Sequence, residues 1–102
     1  MRRAAKVDRN QTEIVAALRG IGATVQPLHA VGQGCPDLLA GFRGVNYLIE
    51  VKDWQAAKSD RQLNDRQQQW HGGWKGQVAV VETVGAALAV VTGQLEHRGE
   101  IE

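Results

Sequence analysis

Apolar positions recur along this chain with two different periods. Between Asn10 and Gly22, Ile14, Ala17, Leu18 and Ile21 stand three and four residues apart, the spacing that lines one face of a helix. Asn10 with Glu13 three residues later reads as a capping box, and Gly20 and Gly22 end the helix. Ala23 to Leu28 alternates weakly around Val25, which predicts an edge strand, with Pro27 kept off the ladder. Leu38-Leu39-Ala40-Gly41-Phe42 and Val45-Asn46-Tyr47-Leu48-Ile49 are apolar runs of strand length, and Arg43-Gly44 between them supplies a residue that tolerates positive φ. Asn64 opens a second helix with another capping pattern, Asn64-x-x-Gln67, and a stripe of Gln67, Trp70, His71 and Trp74. Gly72-Gly73 weaken that helix and Gly76 closes it. Gln77 to Val81 reads as a central strand, and Thr83 caps a last helix, Val84 to Val91, that stops before Gly93. The predicted order is α-β-β-β-α-β-α: an α/β fold with a mixed central sheet and flanking helices. One domain spans 10–92, between a basic arm at 1–9 and a polar, acidic tail at 93–102.

The two apolar runs fix a hairpin register that matters chemically. With Arg43 and Gly44 as a two-residue loop, pairing runs outward from Phe42 with Val45 to Leu38 with Ile49, and then brings Asp37 opposite Glu50. A three-residue loop would undo this. Opposed residues of an antiparallel pair have Cβ atoms about 5 Å apart, and alternation puts Lys52 on the face of Glu50, roughly 6.6 Å further along. Two facing carboxylates repel unless a cation lies between them, and hard oxygen ligands suit Mg²⁺ or Mn²⁺. A neighbouring ammonium could then orient or deprotonate a metal-bound water, or hold a scissile phosphate.

Composition narrows the setting. A chain of 102 residues permits one domain with a modest core. A single Cys makes no internal disulfide, no apolar run approaches membrane-spanning length, and the N-terminus lacks a signal-peptide core, so a cytoplasmic protein without membrane contact is expected. Net charge is only +1, but it is unevenly spread. Residues 1–75 hold 11 Lys/Arg against 7 Asp/Glu, whereas 76–102 hold 1 against 4. The excess could form a basic face for nucleic acid, with Arg2, Arg3, Lys6 and Arg9 in the arm and Lys58 and Arg61 after the hairpin as phosphate contacts. The loop from His29 to Cys35 is pliable at Gly32 and Gly34. Cys35 reads as a small apolar filler rather than a nucleophile, and its spacing from the three histidines does not suggest a zinc site. Trp70 and Trp74 are expected in the core.

Pro36-Asp37 followed by Glu50-Val51-Lys52 resembles the PD-(D/E)XK nuclease signature. The chain is most similar to the small, phage-type VRR-Nuc branch, which resembles Holliday-junction resolvases, over roughly Asn10 to Val91. The resemblance implies a restriction-endonuclease-like core and a Mg²⁺- or Mn²⁺-dependent endonuclease that cuts DNA, with preference for branched, flapped or junction structures. It also implies metal binding by Asp37, Glu50 and the Val51 carbonyl and water activation by Lys52, and together with the small size and the three tryptophans it leads to the expectation of a homodimer. It suggests that Glu13 reaches the metal site, against the reading of Glu13 as a cap, and that Gln67 points into the active site, against a cap of the second helix, with Gln68 as its rival. A DNA-binding module without activity and a purely structural homodimer are the competing classes. Nothing structural would require the Asp37, Glu50, Lys52 trio at one hairpin mouth.

Overall fold

A computed structural model describes residues 9–93. Arg2, Arg3 and Lys6, and the tail beyond Gly93, lie outside the described residues. Helix α1 (Gln11–Gly20) is followed by strands β1 (Thr24–Pro27), β2 (Leu38–Phe42) and β3 (Val45–Val51). A short 3₁₀ turn (Lys58–Arg61), helix α2 (Asp65–Gly73), strand β4 (Ala79–Val81) and helix α3 (Val84–Thr92) complete the order expected from the sequence.

The sheet runs β1-β2-β3-β4, antiparallel between the first three strands and parallel between β3 and β4. The hairpin has the predicted register, Phe42 with Val45 through Leu38 with Ile49. Arg43 (φ 53°) and Gly44 (φ 80°) are both left-handed, as a two-residue type I′ turn requires. A parallel pair cannot close through a tight turn, so the chain crosses from β3 to β4 by way of the 3₁₀ turn and α2. That crossover carries α2 to the neighbourhood of the hairpin mouth.

Alternation then divides the sheet. Leu38, Ala40, Ile49, Val51 and Val81 are buried with Ile14 and Leu18 of α1 and Ala87 and Val91 of α3. Each fully buried Leu or Ile of this kind contributes about 1.5–3 kcal/mol. The opposite parity places Leu39, Leu48, Glu50 and the preceding Asp37 on the other side. Pro27 sits on the edge strand β1, where its missing N–H costs nothing.

Several local expectations are corrected. Asn10 makes no side-chain cap; its Nδ2 donates instead to the carbonyls of Lys52 (3.1 Å) and Glu82 (2.9 Å), so a long-range tie between β3 and β4 displaces the capping box. Ile21 is 41% exposed because it lies past the end of α1, and only Ile14 and Leu18 of the predicted stripe are fully covered. β4 is an edge strand of three residues, not a central one from Gln77. The Gln77 carboxamide takes the place of backbone, accepting from Leu48 N–H (2.8 Å) and donating to Leu48 C=O (3.3 Å). Trp70 and Trp74 are not core residues; they stack on each other at 4.6 Å, with Trp74 45% exposed.

Candidate active site

Four side chains meet where the hairpin opens. Val51 N–H donates to Asp37 Oδ2 at 2.7 Å, which fixes the Asp37 carboxylate beside the Glu50–Val51 segment. Glu50, 2% exposed, is the most deeply buried acid among the described residues. Lys52 Nζ lies 3.9 Å from Glu50 Oε2, so both carboxylate and ammonium project to one side as strand alternation requires.

Gln67 joins them. Its Oε1 accepts from Lys52 Nζ at 2.9 Å and its Nε2 donates to Glu50 Oε2 at 2.9 Å. The same Oε1 accepts the Asn64 N–H at 3.0 Å, while Asn64 Oδ1 accepts the Gln67 N–H at 2.9 Å, closing a full capping box on α2. The two readings of Gln67 therefore hold together, since a carbonyl oxygen has two lone pairs and both are used. Gln68 turns away and donates to the Leu63 carbonyl.

The loop before Pro36 supports this arrangement from behind. Gly34 has φ +84°, and a Cβ there would lie 2.4 Å from the Arg66 carbonyl oxygen and 3.1 Å from the Gln67 nitrogen. Only glycine permits the loop backbone to press on the first turn of α2. The contact sets how far Gln67 stands from the hairpin.

His71 lies one helical turn beyond Gln67 on the same stripe. Its Nε2 lies 4.0 Å from Glu50 Oε1. Burial pushes the imidazole pKa down, and the Lys52 charge adds to the effect, so the ring favours its neutral form. The signal that could have found it is the four-residue spacing from Gln67. Cys35 is partly buried, and burial, then the negative charges of Glu50 and Asp37, push its thiol pKa up. That keeps it protonated, in line with the filler reading.

The remaining predicted residues are scattered. Glu13 is exposed on the first turn of α1 and stands outside the hydrogen-bonded cluster. Arg9 is largely exposed, but its Nε donates to Asp53 Oδ2. The Asp53 carboxyl, which also accepts the Gln55 N–H, is held below the usual carboxylate range chiefly by that backbone bond. Arg61 lies 3.6 Å from Glu82, and Lys58 is exposed on the 3₁₀ turn.

The donors at the mouth are two carboxylates, both hard oxygens, and the Val51 carbonyl expected beside them is of the same kind. Among the described residues no three His, Cys, Asp or Glu side chains gather into a cage. A cation here would rest on one or two carboxylates and complete its shell with water and substrate oxygens, as Mg²⁺ does. The residues present fit such an ion.

No protein-family model matches the sequence, and no curated protein matches it. Among solved structures the chain is similar to one titled "VRR_NUC domain". The two are 25% identical, with a TM-score of 0.61, over 87% of this chain and 92% of that one.

Proposed function

The chain has the fold of a VRR-Nuc domain of the PD-(D/E)XK nuclease superfamily, and we propose that it is a metal-dependent endonuclease hydrolysing DNA phosphodiester bonds. The observation that carries this reading is that the Gln67 carboxamide bridges Glu50 and Lys52, while the Val51 amide between them holds Asp37. A buried carboxylate bridged to a lysine, beside a second fixed carboxylate, is an expensive arrangement for a small core to keep without chemical use.

Asp37, Glu50 and the Val51 carbonyl would hold Mg²⁺ or Mn²⁺, which would supply Lewis-acid polarisation of a phosphate oxygen and a water of lowered pKa. Asp37 is oriented by the Val51 amide through Oδ2, and its other oxygen would be the one offered to the ion. Lys52 is held by Gln67 Oε1, which leaves its other ammonium protons to orient the attacking water or a non-bridging phosphate oxygen. Gln67 thus positions both acid and base, and Glu13 takes no part in this mechanism. Lys58, and Arg61 beside it, would guide the DNA backbone. Branched, flapped or junction DNA is the proposed substrate class, and a homodimer the proposed assembly.

The test is cleavage of labelled linear, flapped and four-way-junction DNA with Mg²⁺, with Mn²⁺ and with EDTA. Asp37→Ala, Glu50→Ala and Lys52→Ala should each cost at least about 100-fold in rate, with double substitutions little worse than single ones because the groups act as a unit. DNA binding should be nearly intact in all three. A Lys52→Ala protein that cuts at close to the wild-type rate would overturn the mechanism.

A further inference from the structure

Immediately beyond Lys52 the chain presents a large aromatic side chain to solvent. Trp54 is 52% exposed, and among the described residues it has no aromatic stacking partner and takes no part in the core. This differs from Trp74, which already covers one face against Trp70. Two peptide units separate Trp54 from Lys52, so their Cα atoms are at most about 7 Å apart. Trp54 is therefore anchored to the chain right beside the proposed site.

The segment that carries it is held firmly. Asp53, 7% exposed, accepts the Gln55 N–H through Oδ1 (2.9 Å), accepts the Ala56 N–H through its carbonyl (2.9 Å), and pairs with Arg9 through Oδ2. A side chain that merely lacked a place to pack would gain nothing from such an anchored turn. Leaving a tryptophan in water forfeits a large apolar burial. Past the turn come Lys58 and Arg61, cations suited to a phosphate backbone. An exposed π-face carried on an anchored turn and followed by cations is the combination that binds single-stranded nucleic acid by base stacking.

Resting on the nuclease reading above, we infer that Trp54 stacks on an unpaired base next to the phosphate that Lys52 addresses, and so selects DNA whose bases are open at the cut. Inside a duplex both faces of each base are already stacked, so away from the ends the indole has no surface to take. In a flap, a junction or a single strand a base face is free. Trp54 is then a determinant of substrate structure and not of the hydrolytic step.

Binding measured in EDTA tests this without cleavage. Fluorescence anisotropy with labelled oligothymidine, a flapped duplex and a blunt duplex should show Trp54→Ala losing roughly 5- to 100-fold in affinity for the first two. The blunt duplex should change by less than about 2-fold, since its bases are paired and, except at its two ends, stacked on both faces. Trp54→Phe should restore most of the loss, and both variants should melt with the wild type. Oligothymidine should quench wild-type tryptophan emission, and Trp54→Phe should abolish that quenching while Trp70 and Trp74 remain. Equal losses on all three DNAs, or no loss on any, would overturn the inference. A protein that binds oligothymidine through Trp54 but cuts no DNA with Mg²⁺ or Mn²⁺ loses the nuclease reading and keeps only the stacking of Trp54 on an open base. A protein that cuts, but is indifferent to Trp54, loses only this one.

Discussion

A single carboxamide, that of Gln67, is shared between the start of a helix and the chemistry beside it, so its position is sensitive to anything that moves the first turn of α2. Gly34 is such a point. Gly34→Ala should destabilise the protein by about 1–2 kcal/mol from its left-handed backbone alone, and further through the clash with Arg66. Gly44→Ala is the control, because it has φ +80° but nothing within 4 Å of its added Cβ. In urea titrations both substitutions should lower the midpoint, with Gly34→Ala lower, and only Gly34→Ala should also lose most DNA cleavage. Equal effects would show that the loop does not position α2. Residues of this kind differ in how legible they are. Asp37, Glu50 and Lys52 could be read because a two-residue turn fixes a register by counting. Asn10 could not, because its capping pattern with Glu13 is local while its actual partners, the Lys52 and Glu82 carbonyls, are far away in sequence. Gln67 could be read only as two alternatives, since spacing does not reveal that one oxygen serves both.

Helix α2 has no buried residue, in contrast to α1 and α3, each of which sends apolar side chains into the core. It is held by its capping box, by the bonds of Gln67 and by the loop at Gly34. Native-state hydrogen exchange should therefore give α2 amides opening free energies several kcal/mol below those of β2 and β3. Protection of α2 equal to the hairpin would contradict this account of what anchors it. The kind and order of elements were legible because helical and strand periods separate cleanly along the chain. Lengths and places were less so. The run from Gln77 has the composition of a full central strand, but a side-chain amide can satisfy Leu48 as backbone would, and composition does not tell an edge from a centre. The stripe of Trp70 and Trp74 has the spacing of a core face, yet the two rings cover each other at the surface.

At the scale of the molecule, the sheet face opposite α1 and α3 is only partly covered. Leu39, Leu48, Trp74 and Gly76 line an open groove with Asn46 and Gln77, on the side that carries the acids. Exposed Val80 and Trp74 extend its apolar surface. A second copy placed there by two-fold symmetry would bury this surface and set two cutting sites in one particle. Light scattering at tens of micromolar should give twice the chain mass, and Trp74→Glu should reduce it to one. A monomer mass for the wild type, with and without DNA, would exclude the dimer.

The parallel pairing of β3 with β4 also dictates the sequence of events by which the site comes into being. A two-residue turn brings β2 and β3 together within microseconds, so Asp37 and Glu50 become neighbours early. Joining Val51 to Val81 closes a far longer loop, and only that crossover delivers Gln67. The partner that steadies the acid and the lysine is thus a late arrival on the folding path. Gln67→Ala should quicken unfolding and leave refolding almost unchanged, so that in a stopped-flow chevron the refolding arms superimpose and the unfolding arms separate.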